Sequence, residues 1–554
     1  MHTIFIFTFI NFLLYFCFGS IFLNQKLNKK NDYTDIITIT IFGIIAISSL
    51  AVLINFFFPL NKNTNSFLYL IIVIVSLKYI FKSNNIKIIK TGIIISLFST
   101  LFLIYSNTYR PDAGLYHLPF TGILNNEKII FGLSNIHFRF AHTSILQYLS
   151  AVNYNYLFGL NGIELSKSLF GLVLISFFIF NIIKNKKNTL SSRLNLLFSY
   201  LVTIYIGYKF IRFSEYGNDT IPHLLYFFMI SYILNNIEKI NFKNISKIFL
   251  LCSFLFLSKV TFILSYVFLL PFIKKIFTEF KFNKYIIVGV LLILMGFIKS
   301  YIMSGCLIYP IEISCHKSSS IYDSELTKKV SLETEAWSKA WPDRINKDIK
   351  MNNYTKKFNW IKAYKNTHLK KIIKIMVPYL IFLILLVIFL KFKTKEKFIQ
   401  KNVFNNYFDF MIVVNFIFIL IWFLKFPTYR FGTSFIVTSI CLFILKFTNI
   451  KILDKISDYK SFFCILLVVV FSAKQFQRLI KNNTYEKNTL WPNIYSENKL
   501  YNKVDTPIVV NKKIAYYETS NRMCFYRSYI CTNYKVGKNI IYKRKNGYKF
   551  FISK

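Results

Sequence analysis

Residues 34–60 read TDIITITIFGIIAISSLAVLINFFFPL, 27 positions with Asp35 as the one formal charge. A bilayer's hydrocarbon layer is about 30 Å thick and a helix rises about 1.5 Å per residue, so this run is long enough to cross it. Comparable runs recur at 3–23, 66–81, 90–106, 164–183, 194–211, 221–236, 285–303, 371–390, 405–424, 433–447 and 461–473. The block 247–273 lies between two lysine-rich loops and contains Lys259 and Pro271. It therefore crosses twice, as two short broken helices, or not at all. The expected class is an all-α polytopic membrane protein of about 12–14 transmembrane helices.

Composition points the same way. The chain is 54% hydrophobic and 19% aromatic, with a mean hydropathy of +0.44. Those values exclude a fibrous, disordered or disulfide-dense secreted chain and an ordinary soluble enzyme. Lys and Arg number 69 against 24 Asp and Glu, a formal net charge of +45. The lysines lie in short clusters between apolar runs, not on a base-reading helix, so nucleic acid is not an expected partner. No Walker A, G-x-G-x-x-G or D-x-D motif appears, which argues against a nucleotide-driven pump.

Lysine placement orients the chain, because short basic loops are retained on the cytoplasmic side. The clusters after the first and third runs, at 184–193, 239–247, 274–284, 391–401 and 446–460, all fall on one side of a single threading. The expected location is a bacterial inner membrane, with both termini on the periplasmic side. This divides the chain into a transmembrane domain, 1–473, with outer loops 107–142 and 304–370, and a small extracytoplasmic domain, 474–554. Within the latter, "TPIVVNKKIAYYE" and "KNIIYKRKNGYKFFISK" alternate apolar and polar residues and so predict strands. Four cysteines fall outside the runs, and the local pairs Cys306–Cys315 and Cys524–Cys531 are candidate disulfides in an oxidising compartment.

Chemistry-bearing residues concentrate in the first outer loop, which holds Asp112, Tyr116, His117, Asn135, His137, Arg139 and His142. An acid beside a membrane surface is partly desolvated, which raises its basicity. The second outer loop, "RFSEYGNDTIPHLL", adds Asn218, Asp219 and His223; Asp219 also suits the N-cap of the helix that follows. Asp112 and Asp219 can converge on an acceptor hydroxyl or on a divalent metal, which is left open. Lys425 and Arg430, in "KFPTYRFGTS", sit where a cation meets a lipid phosphate or only snorkels to headgroups. Trp337 and Trp341 are four apart, so on a helix they share one face as an interfacial anchor or a sugar platform.

An early acid in the first outer loop, followed by an amphipathic stretch (143–160) lying on the membrane, resembles the GT-C class of integral-membrane glycosyltransferases. More narrowly, "DAGLYHLP…GLSNIHFRFAHTS" with "SGCLIYP" and "PTYRFG" is similar to a family of large bacterial multi-pass membrane proteins to which no reaction is assigned. The first resemblance implies a polyprenyl-phosphate sugar donor, a glycan or lipid acceptor and a site at the outer membrane face. Asp112 would be the catalytic base or the group that orients the acceptor. Asp219 would hold the acceptor or a metal, and Arg430 would neutralise the donor phosphate. His117 would join Asp112 in catalysis, while Tyr116, Asn135, His137 and Arg139 would shape the acceptor site. Ala113 stands where many members of the class carry a second acid. A lipid-linked glycan polymerase, ligase or flippase, or a transporter, remain the alternatives.

Overall fold

The computed structural model describes residues 2–25, 32–80, 85–106, 112–142, 144–184, 189–209, 217–238, 240–394, 406–448, 508–510, 514–518, 524–534, 536–537 and 539–553, with 469 and 473. Its helices, in chain order, are α1 (His2–Leu23), α2 (Tyr33–Asn55), α3 (Lys62–Ile80), α4 (Asn85–Ser106), α5 (Leu118–Asn126), α6 (Ile145–Val152), α7 (Asn161–Lys184), α8 (Leu190–Tyr208) and α9 (Thr220–Asn236). They continue with α10 (Phe242–Ser258), α11 (Ile273–Thr278), α12 (Lys284–Ser304), α13 (Ser324–Ser338), α14 (Lys370–Thr394), α15 (Asn406–Lys425) and α16 (Tyr429–Phe447). Among the described residues, seven helices are long and apolar enough to cross a membrane. The chain is thus an all-α polytopic membrane protein with a small strand region near its C-terminus. The expected span at 461–473 lies outside the described residues apart from its two single positions.

Burial sorts the helices into a centre and a rim. α2, α7, α8, α9 and α10 bury side chains on nearly every face. By contrast, Ile74 on α3, Leu294 on α12, Leu385 on α14 and Phe416 on α15 are about half exposed, the apolar rim that lipid tails would solvate. α1 and α2 approach each other closely. A Cβ built on Gly43 would fall 1.9 Å from the Tyr15 carbonyl oxygen, and one on Gly19 would fall 1.9 Å from that of Ile39. Two glycines facing each other let the backbones touch, the packing device that membranes favour because lipid supplies no hydrophobic drive between helices.

The block 247–273 forms a hairpin. α10 ends at Lys259, whose backbone is extended (φ −161°, ψ 124°), and a 3-10 limb, Val260–Phe272, runs back along it. Seventeen residues of α-helix and thirteen of the more stretched 3-10 helix each span about 26 Å, so the two limbs match in length. The Cys252 thiol meets the Ser265 carbonyl at 3.4 Å, and Tyr266 donates to Ser253 Oγ at 2.9 Å, six or seven residues to either side of the tip. At the far end Lys275 Nζ donates to the Ile240 carbonyl at 2.8 Å. The apolar run therefore crosses the bundle and returns, leaving a lysine at its turn.

Two sequence expectations need correction. The stretch expected to lie along the membrane instead holds α6, whose eight residues are all buried under α5 and the α2–α3 corner. Asn65 and Asn125 fix it there, both donating to the Ala151 carbonyl at 2.9 Å. Trp337 and Trp341 do not share a helix face, because α13 stops at Ser338 and Ala340 adopts a left-handed backbone (φ 66°) ahead of Pro342. Trp341 then packs on Tyr354 and the Arg344 guanidinium, while Trp337 stays exposed.

The strands are β1 (Ile508–Val510), β2 (Ile514–Glu518), β3 (Cys531–Thr532), β4 (Ile540–Lys545) and β5 (Tyr548–Ser553). β1 and β2 are antiparallel, β2 and β3 parallel, and β4 and β5 form an antiparallel hairpin closed by Asn546-Gly547, both at positive φ as a tight hairpin turn demands. β5 clips onto the segment after α5: Phe131 N donates to Lys549 O at 2.9 Å and Phe551 N to Phe131 O at 2.8 Å. Cys306 is disulfide-bonded to Cys315 and Cys524 to Cys531.

Candidate functional site

Four separate parts of the chain meet at one end of the bundle. A π-helical turn, Ala113–His117, leads into α5 and carries Tyr116 and His117 just after Asp112. The wide turn sets their rings side by side, 4.3 Å between centroids. The C-terminal region holds this turn in place, since the Cys524 and Phe525 amides both donate to the Gly114 carbonyl, at 3.0 and 2.9 Å. α9 begins after Asp219, α16 begins at Tyr429 beside Arg430, and the hairpin tip delivers Lys259.

The charges pair across these parts. Arg430 Nη1 lies 3.4 Å from Asp112 Oδ2, both side chains about two-fifths exposed. Lys259 Nζ lies 2.5 Å from Asp219 Oδ1, and these side chains are more enclosed, 14% and 28% exposed. Asp219 occupies the N-cap position of α9, but its carboxylate makes no capping bond. The lysine takes that carboxylate instead, because a charge-assisted bond outweighs a neutral cap. Lys259 also stands 4.1 Å from the centroid of the Phe431 ring. His223 locks α9 to α16 through Ser434 Oγ (2.9 Å) and the Arg430 carbonyl (2.8 Å).

Arg139 lies over the Tyr116 ring at 4.8 Å, and the fields of Asp112, Asp219, Arg139 and Arg430 all reach that tyrosine. Burial pushes the Tyr116 phenol well up, so it stays protonated and able to donate. His117 is buried beside Lys167, which comes up from α7, and burial with that positive neighbour holds the imidazole well below its usual range. Among the described residues Arg139, Lys259 and Arg430 thus outnumber the two carboxylates, and the positive N-terminal ends of α9 and α16 add to them. The centre favours an anion.

Of the sequence candidates, Asp112, Tyr116, His117, Arg139, Asp219 and Arg430 come together here. Asn135 does not, and His137 only borders the group, its ring centroid 6.3 Å from that of Tyr116. Asn135 spends its amide hydrogens on the Ile321 (3.2 Å) and Phe551 (3.0 Å) carbonyls, tying the segment to β5. His137 is buried against Phe140 (4.7 Å), accepts from the Arg139 amide at Nδ1 (3.1 Å) and meets Asn533 Oδ1 through Nε2 (2.9 Å). Both are structural pins, with their polar atoms consumed by the fold. Lys425 pairs with Glu335 at 3.7 Å, away from the two carboxylates. Among the described residues no three His, Cys, Asp or Glu gather to hold a metal ion. Asp112 and Asp219 each face a cation, so this donor set does not fit a divalent ion.

Sequence reasoning passed over Lys167 and took Lys259 as the mark of a broken helix, not as a site residue. A lysine within an apolar run is a functional pointer by default, since burying one in a membrane is costly. That signal was present at both positions.

A family model described as a domain of unknown function, DUF8201, matches residues 1–437. The chain belongs to the DUF8201 family. The DUF8201 match takes in Asp112, Lys167, Asp219, Lys259 and Arg430 and stops inside α16, before the strands. No curated protein and no solved structure matches the chain.

Proposed function

We propose that this DUF8201 protein is a GT-C-like glycosyltransferase of the bacterial inner membrane. It moves a sugar from a polyprenyl-phosphate donor to a cell-envelope glycan or lipid acceptor at the periplasmic face. The observation that carries this reading is the excess of fixed cations around an acid, at the end of a bundle whose rim is apolar. A phosphorylated lipid has both parts that such a place accommodates, a charged head and an apolar tail. In the reaction the acceptor oxygen bonds to the anomeric carbon, that carbon's bond to the phosphate oxygen breaks, and the acceptor proton passes to Asp112. The polyprenyl phosphate leaves as an anion held by Arg430 and Lys259, and direct displacement inverts the anomeric centre. Because Asp112 rests on Arg430, a phosphate that takes Arg430 also releases the base.

The test is glycan mass spectrometry of a deletion strain carrying wild type or Asp112→Asn, with transfer from polyprenyl-phosphate sugars by both proteins in nanodiscs. Loss of one sugar unit, restored by wild type alone, with a rate lower by about 10²-fold or more in the variant, is expected. Full activity in a folded Asp112→Asn protein would falsify the assignment. One observation favours transport as a second reading: Glu164 is buried in α7, and neither carboxylate oxygen has a hydrogen-bond partner among the described residues. An unchanged glycan composition in the deletion strain would turn the assignment that way.

A further inference from the structure

His117 is gripped at one nitrogen by amides from two directions. Asn218 Nδ2 lies 3.2 Å and Gln147 Nε2 3.3 Å from His117 Nδ1. An asparagine amide presents an oxygen at one end and NH2 at the other. Here Lys167 decides which end faces the ring, because Nζ lies 3.0 Å from the other end of the Asn218 amide. Lys167 Nζ donates, so the end it meets is the oxygen, and the end facing His117 is NH2. A nitrogen that receives N–H donors is the bare one, and in a neutral imidazole the hydrogen then sits on the other nitrogen.

We infer that Lys167, acting through Asn218, is a positioning residue that fixes His117 as the neutral tautomer with its hydrogen on Nε2, making His117 a hydrogen-bond donor to a substrate oxygen and not a base. The inference rests on the proposed transferase site. It divides the labour there: His117 donates through Nε2 while Asp112 takes the proton. Burial supports it, since the His117 ring is only 6% exposed. The charged groups whose fields reach the ring, Lys167, Arg139 and Arg430 against Asp219, are mostly positive and oppose a second proton. Lys167 sits in α7, Asn218 just before α9 and Gln147 in α6, so the tautomer is set by three elements packed around the turn.

Nitrogen-15 spectra of histidine-labelled protein in nanodiscs test this directly, with His117→Gln identifying the signal by its loss. The wild type is expected to show a bare Nδ1 and a protonated Nε2 from about pH 5 to about pH 8, the range in which an ordinary histidine titrates. Lys167→Met and Asn218→Leu are expected to give mixed tautomers at that ring. A wild-type signal with hydrogen on Nδ1, or an imidazolium in that range, overturns the inference without any variant having to fold. Unchanged spectra in both folded variants overturn the part given to Lys167. None of these outcomes depends on turnover, so failure of the transferase reading would appear only in the transfer assay. There, Lys167→Met is expected to lower kcat with little change in KM for the lipid donor, as loss of a transition-state contact does.

Discussion

Acid should loosen this protein through His137, and the size of the effect follows from its surroundings. The ring is 2% exposed, wedged against Phe140 and Tyr534, and both nitrogens are engaged. Burial, with Arg139 nearby, lowers its pKa from 6.5 to about 3. Between those values the unfolded chain binds a proton on this ring that the folded chain refuses. The contribution to stability is therefore fully present above about pH 6.5 and drains away as pH falls toward about 3. Each pH unit inside the window corresponds to about 1.4 kcal/mol, so moving from about pH 8 to about pH 5 removes about 2 kcal/mol through His137 alone. His142, also lowered to about 3 by burial, acts in the same direction. The assay is equilibrium unfolding in mixed micelles at the two pH values, for wild type and His137→Gln, which keeps an amide donor for Asn533 but cannot titrate. The loss on acidification should be smaller in the variant by about 2 kcal/mol, even if the variant is less stable at both pH values. An identical loss in the two proteins would refute the reasoning.

The two ion pairs should differ in energy. Double-mutant cycles should give a coupling of about 1–3 kcal/mol for Asp219→Asn with Lys259→Met, whose partners are close and enclosed, and about 0–1 kcal/mol for Asp112→Asn with Arg430→Gln, a longer and more exposed contact. Equal couplings would mean that enclosure does not set the energy. Gly43→Leu should destabilise the α1–α2 contact by about 1–3 kcal/mol or more, because its Cβ starts inside the van der Waals radius of a backbone oxygen, whereas Gly217→Ala, which meets nothing within 4 Å among the described residues, should be close to neutral. Matched unfolding midpoints for those two variants would show that the close approach carries no packing energy.

The helical membrane class was legible because run length and apolarity are local properties, and the strand region was legible from its period-two alternation. Lys259 and Pro271 marked the hairpin for a similar reason: a charge or a proline inside an apolar run has few ways to be satisfied. What the chain does not display locally is partnership. Asp112 and Arg430 lie 318 residues apart, and nothing at either position names the other. Asn135 and His137 carry the residue types of a binding site, yet their neighbours β5 and Asn533 use them up, a fact written only in the tertiary contacts. Asp219 suits both a site acid and a helix cap from its position before α9. The position was right, but a lysine from another helix holds the carboxylate.

The clip between β5 and the segment after α5 has a bearing on biogenesis. Asn135 and its acceptor on Phe551 are 416 residues apart. At a ribosomal pace of about 5–20 residues per second, the early segment waits on the order of 20–80 s before its partner strand is made. During that interval the polar groups that β5 later satisfies must stay hydrated or be shielded, and the turn bearing Tyr116 and His117 lacks the amides of Cys524 and Phe525. The turn and the segment after α5 can therefore assume their final geometry only once β5 and the Cys524–Phe525 segment have been made and have docked, well after the first helices.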